Sequence, residues 1–173
     1  MREVATRERI EQFLIALCRA ALRDTDLYLV GGTSAVVEGW RESTMDIDLV
    51  MRPESDELLR AIPALKERLN LNVELAAPDH FIPVPPGWES RSPVLKRLGK
   101  VTVRHYDFVA QALSKVERGH VRDLADVRAM LARGLVTREA LREQFSEIEP
   151  SLYRYPAIDP ASFKLALEGA LQD

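Results

Sequence analysis

The chain is poor in the features that would place it outside an ordinary reducing interior. A single cysteine, Cys18, excludes an internal disulfide and a cysteine-built zinc site. No apolar run approaches the roughly 20 residues that a membrane helix needs. The N-terminal stretch MREVATRERIEQF is charged from its second residue and has no apolar centre of a secretory signal. A cytoplasmic protein with no membrane partner is the expectation. Internal repeats, low-complexity tracts and flexible linkers are also missing. Two common nucleotide signatures fail as well, since no GK[ST] ending of a P-loop and no GxGxxG occurs near the glycines. With a net charge of −3, the chain lacks the large cationic surface that indiscriminate nucleic-acid binding requires.

What is present is the balance of a soluble globular protein: 46 % hydrophobic and 29 % charged residues over 173 positions. That length implies one domain with its own core. Residues 4–23 read as an amphipathic helix, with Ile10, Phe13, Leu14, Leu17 and Ala21 at helical spacing. Cys18 falls on that apolar stripe and reads as a buried small residue. A strand over 26–30 runs into Gly31-Gly32 and a short helix from Thr33 to Trp40, and a second strand covers 46–51. The segment 55–69 has helical spacing interrupted by Pro63, which implies either a kink or two short helices. A strand at 72–76, a proline-rich irregular loop from Pro78 to Pro93 and a hairpin turning at Gly99-Lys100 follow. Helices are expected at about 107–118, 122–133 and 137–147, and a last one starts at Asp159-Pro160. The order predicts an α/β (α+β) fold: a small mixed sheet with packed helices, core about 26–106, and a helical part about 107–173.

The chemistry concentrates in YLVGGTSAVVEGWRESTMDIDLVM, residues 28–51. Glycines at a strand-to-helix turn let backbone approach a ligand, and the helix start offers N–H groups and the positive end of a dipole. A triphosphate suits such a turn, with a hydroxyl from Thr33 or Ser34. Asp46 and Asp48 flank Ile47 on a strand, so both carboxylates leave one face about 6.6 Å apart while Ile47 faces the core. Two like charges at that spacing favour a cation between them, and oxygen-only ligands favour Mg²⁺ or Mn²⁺. Glu74 on a neighbouring strand is the candidate third carboxylate. The alternative is a strand end bearing exposed acids.

Taken together, Gly31-Gly32, the helix Thr33–Trp40, Arg41 and the T-x-D-x-D run Thr44–Asp48 resemble the signature of the polymerase-β-type nucleotidyltransferase superfamily. Within it the chain looks most like the small bacterial abortive-infection group (AbiEii/MenT-like). That group carries a downstream lysine on a helix, then an arginine and an R-D-x-x-D helix; here these are Lys115, Arg118 and Arg122-Asp123-Leu124-Ala125-Asp126. The serine usual after the glycines is Thr33. The resemblance implies metal ions on Asp46 and Asp48 with help from Glu74, and the β and γ phosphates of an NTP on the Gly31-Gly32 turn with Thr33. It further implies Lys115 neutralising the triphosphate and Asp126 or Asp123 positioning a substrate or anchoring Lys115 and Arg118. Arg41 would reach the phosphates from beside the DxD strand.

The implied activity is transfer of a nucleoside monophosphate from an NTP to an acceptor. An RNA or tRNA 3′ end or a protein hydroxyl is the implied acceptor, and a toxin would have an antitoxin partner. The basic residues Arg91, Lys96, Arg97, Lys100, Arg104, Lys115, Arg118 and Arg122 read either as a landing surface for RNA or as a solvated face. Lys115, Arg122, Asp123 and Asp126 are also compatible with a plain ion-pair set. A non-catalytic nucleotide-binding module is the alternative for the whole chain. His80, His105 and His120 show no metal-like spacing and receive no role.

Overall fold

The computed structural model describes residues 2–172. It is a mixed α/β structure that divides into two compact units, one of Met1–Ala77 with Ser92–Tyr106 and one of Pro78–Arg91 with Asp107–Asp173.

The first unit is built on a five-stranded mixed sheet. Its strands are β2 (Thr25–Leu29), β4 (Asp46–Arg52), β5 (Asn72–Leu75), β6 (Val94–Leu98) and β7 (Val101–His105), in the order β5-β4-β2-β7-β6. β2 runs antiparallel to β4 and parallel to β7, while β4 and β5 are parallel. Alternation explains which side is packed: Leu27 and Leu29, Ile47, Leu49 and Met51, Val73, and Val101 and Val103 all join one core with residues of α1 (Arg7–Cys18) and α3 (Asp56–Leu69). Cys18 lies in that core, where burial pushes its thiol up to about 11.

The first helix is shorter than the expected 4–23, ending at Cys18, and the short helix after the glycines is Gly31–Glu38 rather than Thr33–Trp40. The first helix begins at Arg7, because Ala5–Thr6 (β1) pairs antiparallel with Ser43–Thr44 (β3) and Thr6 caps the helix by accepting the Arg9 N–H at 3.4 Å. Helix α3 runs unbroken from Asp56 to Leu69 with Pro63 inside it, so the two-helix alternative does not hold. Pro63 is exposed while Ile62 and Leu65 are buried, and packing of that apolar stripe sustains a helix that the proline weakens.

The second unit is helical. Its centre is α5 (Phe108–Arg118), buried at every position from Phe108 to Val116. Asp107 caps it, accepting the Val109 N–H at 3.1 Å, and is itself paired with Arg91 at 2.7 Å. Arg91 ends the short helix α4 (Trp88–Arg91) in a stretch expected to be wholly irregular. Around α5 pack α6 (Val121–Ala132), α7 (Arg138–Ile148) and α8 (Pro160–Gln172), and a six-residue 3-10 turn, Glu149–Arg154, links the last two. Phe145 and Phe163 meet edge to face at 4.9 Å, joining α7 to α8.

Candidate active site

Asp46 opens β4 and Asp48 follows on the same face; both are half-buried, and Ile47 between them is fully buried on the other side. The parallel pairing with β5 sets Asp46 opposite Asn72 and Asp48 opposite Glu74. The two aspartates therefore have unlike neighbours. The Asn72 amide donates to Asp46 Oδ1, whereas Glu74 is an exposed carboxylate beside Asp48. Among the described residues no three His, Cys, Asp or Glu side chains gather into a metal-binding group. A pair of carboxylates still fits a magnesium-type cation, which keeps several waters and is commonly held by one or two carboxylates plus substrate phosphates.

Asp48 is located by its backbone as much as by its strand. Its N–H donates to Thr33 Oγ1 at 2.8 Å and its carbonyl accepts the Val30 N–H at 3.1 Å. Val30 and Thr33 bracket the glycine pair at the start of α2 (Gly31–Glu38). Gly31 has φ +57°, and a Cβ there would stand 3.0 Å from Asp48 Oδ2. Gly32 has no room either, since a Cβ would fall 2.3 Å from Thr44 Oγ1 and 3.4 Å from an Arg41 guanidinium nitrogen. Gly31 and Thr33 thus border Asp48, while Gly32 borders Thr44 and Arg41. The glycines serve packing as well as approach: one admits the Asp48 carboxylate, the other the Thr44 side chain.

The two hydroxyls expected at a phosphate are spent inside the fold. Thr33 and Ser34 are both fully buried. Thr33 holds the Asp48 amide, and Ser34 Oγ lies 2.9 Å from the Leu29 carbonyl oxygen and 3.0 Å from His105 Nδ1. His105 Nε2 in turn lies 2.7 Å from Glu38 Oε1. Burial holds the imidazole pKa below its ordinary 6.5, against the opposing pull of Glu38. The Ser34 hydroxyl donates to the Leu29 carbonyl, which also accepts the Tyr106 N–H at 2.9 Å. Serine, histidine and glutamate also make hydrolase triads, but a serine with no exposed surface cannot attack a substrate. The sequence reading gave His105 no role. The signal was there in the alternation Val101, Val103, His105, which puts the histidine on the buried face.

In the second unit, Lys115 Nζ lies 2.7 Å from Asp126 and 3.2 Å from Asp123, and Arg118 lies 2.7 Å from Asp123. Two cations thus meet two carboxylates between α5 and α6, with Lys115, Asp123 and Asp126 buried. The Arg118 guanidinium also covers the Phe81 ring at 5.4 Å. Arg122 is exposed. The basic stretch from Arg91 to Arg122 is largely neutralised where it lies. Arg91 pairs with Asp107, Lys96 with Glu11, Arg97 with Asp24 and Arg104 with Asp26, besides the Lys115 and Arg118 pairs.

A family model described as "Nucleotidyltransferase of unknown function (DUF6036)" matches residues 8–160. No curated protein matches the chain. No solved structure matches it.

Proposed function

The chain belongs to this nucleotidyltransferase family, and from that premise we propose that it transfers a nucleoside monophosphate from an NTP to an acceptor hydroxyl, with Asp46 and Asp48 holding a divalent cation. The reading is carried by one observation: two carboxylates on one face of an interior strand, with the second packed so closely on Gly31 that a Cβ there would stand 3.0 Å from it. In the reaction the acceptor oxygen bonds to the α-phosphorus, the bond from that phosphorus to the pyrophosphate oxygen breaks, and the acceptor proton passes to solvent. A bound Mg²⁺ or Mn²⁺ supplies charge neutralisation for the nucleotide oxygens and the departing pyrophosphate. Asp46, its Oδ1 tied to Asn72, offers its other oxygen to the cation. Asp48 is held in place by Thr33 and Val30, and Glu74 adds negative potential from the adjoining strand.

The glycine turn and Arg41 are assigned to the triphosphate, and Thr33 and Ser34 act from beneath it. Lys115, Arg118 and Asp126 belong to the proposal through the resemblance to AbiEii/MenT-like proteins, with the ion cluster holding Lys115 in place. The same resemblance supports an RNA end or a protein hydroxyl as acceptor and a toxin role with an antitoxin.

The test is incubation with Mg²⁺, each α-labelled NTP in turn, and total RNA plus protein extract. Label should enter one polymer class with one base, and Asp48→Asn should lower transfer at least about 100-fold, the scale of losing a group that stabilises a transferring phosphoryl. Metal-dependent NTP binding without transfer would leave the non-catalytic module as the reading. Absence of both would remove Asp46 and Asp48 from the site.

A further inference from the structure

His105 is tied to one helix at two points. Its Nδ1 meets Ser34 at 3.0 Å and its Nε2 meets Glu38 at 2.7 Å, so the ring spans one turn of the inner face of α2. The ring is 1 % exposed and stands on β7, opposite Leu29 of β2, whose carbonyl lies 2.9 Å from the same Ser34 hydroxyl. A helix resting on a sheet through apolar contacts alone can roll about its axis. A hydrogen-bonding contact at position 34 and a close charge contact at position 38 oppose that rotation. One residue before Ser34, the Thr33 hydroxyl takes the Asp48 N–H at 2.8 Å. Rotation of α2 would therefore move both Thr33 and the Gly31 backbone that abuts the Asp48 carboxylate.

We infer that His105 is a positioning residue for the Asp48 carboxylate, acting through Ser34, Glu38 and the helix that also carries Thr33. It acts on the carboxylate through that helix, as partners behind a ligand set do. The inference rests on the reading of Asp48 as a cation ligand, but its geometric half stands apart from that reading and is tested apart.

Two measurements decide it, on the intact chain. The first is hydrogen exchange at single amides without metal. In His105→Phe, which keeps a ring but removes both polar contacts, exchange at the Asp48 amide should accelerate at least about tenfold while the amides of Val101 and Val103 keep their protection. The second is Mn²⁺ binding followed by electron paramagnetic resonance. His105→Phe and Thr33→Val should each weaken binding about tenfold, the lower end for losing a partner of a ligand. The double variant should fall well short of the product of the two losses, because the histidine acts in good part through that hydroxyl. Should His105→Phe not fold, His105→Gln, which retains a donor toward Glu38 and loses the Ser34 contact, takes its place with a smaller change in the same direction. Unchanged Asp48 exchange, or losses that multiply to about 100-fold in the double variant, would overturn the inference. A wild-type chain that binds no Mn²⁺ would sink the cation site instead, and the exchange result would still decide whether His105 positions Asp48.

Discussion

At the scale of single residues, the site depends on atoms that are not there. A methyl on Gly32 would overlap Thr44 Oγ1 at 2.3 Å and crowd Thr44 Cβ at 3.0 Å, so relief requires a shift of α2 or of β3. Gly32→Ala is expected to lose about 1–3 kcal/mol of stability, the usual cost of overpacking, as read by urea denaturation. His105 supplies a second residue-scale expectation. Its folded pKa is lowered below 6.5 by burial, so the unfolded chain binds more protons at this site between the two values. The stabilisation is complete above 6.5 and is lost as pH falls toward the folded value. Denaturation midpoints should therefore drop between pH 7.5 and 5.5, and the slope in that window should be shallower in His105→Gln. An equal slope in both proteins would mean that other groups carry the acid sensitivity.

At the scale of elements, the seam between α5 and α6 is electrostatic. Lys115 is buried between Asp123 and Asp126 and shares Asp123 with Arg118. Burying charge is unfavourable, and what makes it tolerable is mutual pairing. Lys115→Met should cost about 3–5 kcal/mol because Asp126 stays buried after its partner at 2.7 Å has gone. Lys115→Met/Asp126→Asn should recover part of that loss, since it removes the surplus charge. Additive losses in this pair would show that Lys115 and Asp126 contribute independently of their pairing. Helix α3 makes the complementary point. Its Pro63 was legible as a disturbance, but the sequence left open whether the helix would break. The buried stripe of Leu58, Ile62 and Leu65 decides that it continues.

At the scale of the molecule, charge is spent internally. A net charge of −3 and a basic stretch already paired with carboxylates leave little for counterion release on a polyanion. Bulk RNA is expected to bind no more tightly than about 10⁻⁵ M at physiological salt, in the range of weak non-specific contact, by filter binding. Submicromolar binding to arbitrary RNA would contradict this. An RNA acceptor, if labelled in the transfer assay, is then selected by local contacts rather than by a cationic surface.

The sequence by itself determined the alternating strands, the shared face of Asp46 and Asp48, the hairpin at Gly99-Lys100 and the start of the last helix at Asp159-Pro160. Each follows from neighbours a few positions apart, through side-chain periodicity, capping and turn preference. The tertiary structure decided the partnerships. Asn72 meets Asp46 across 26 positions, His105 meets Ser34 across 71, and Lys96 meets Glu11 across 85. Such pairs are set by strand register and by the crossing of elements, and no local spacing encodes either. That is why the aspartates were legible as a pair, while their unlike neighbours, the helix-spanning histidine and the neutralised basic stretch were not.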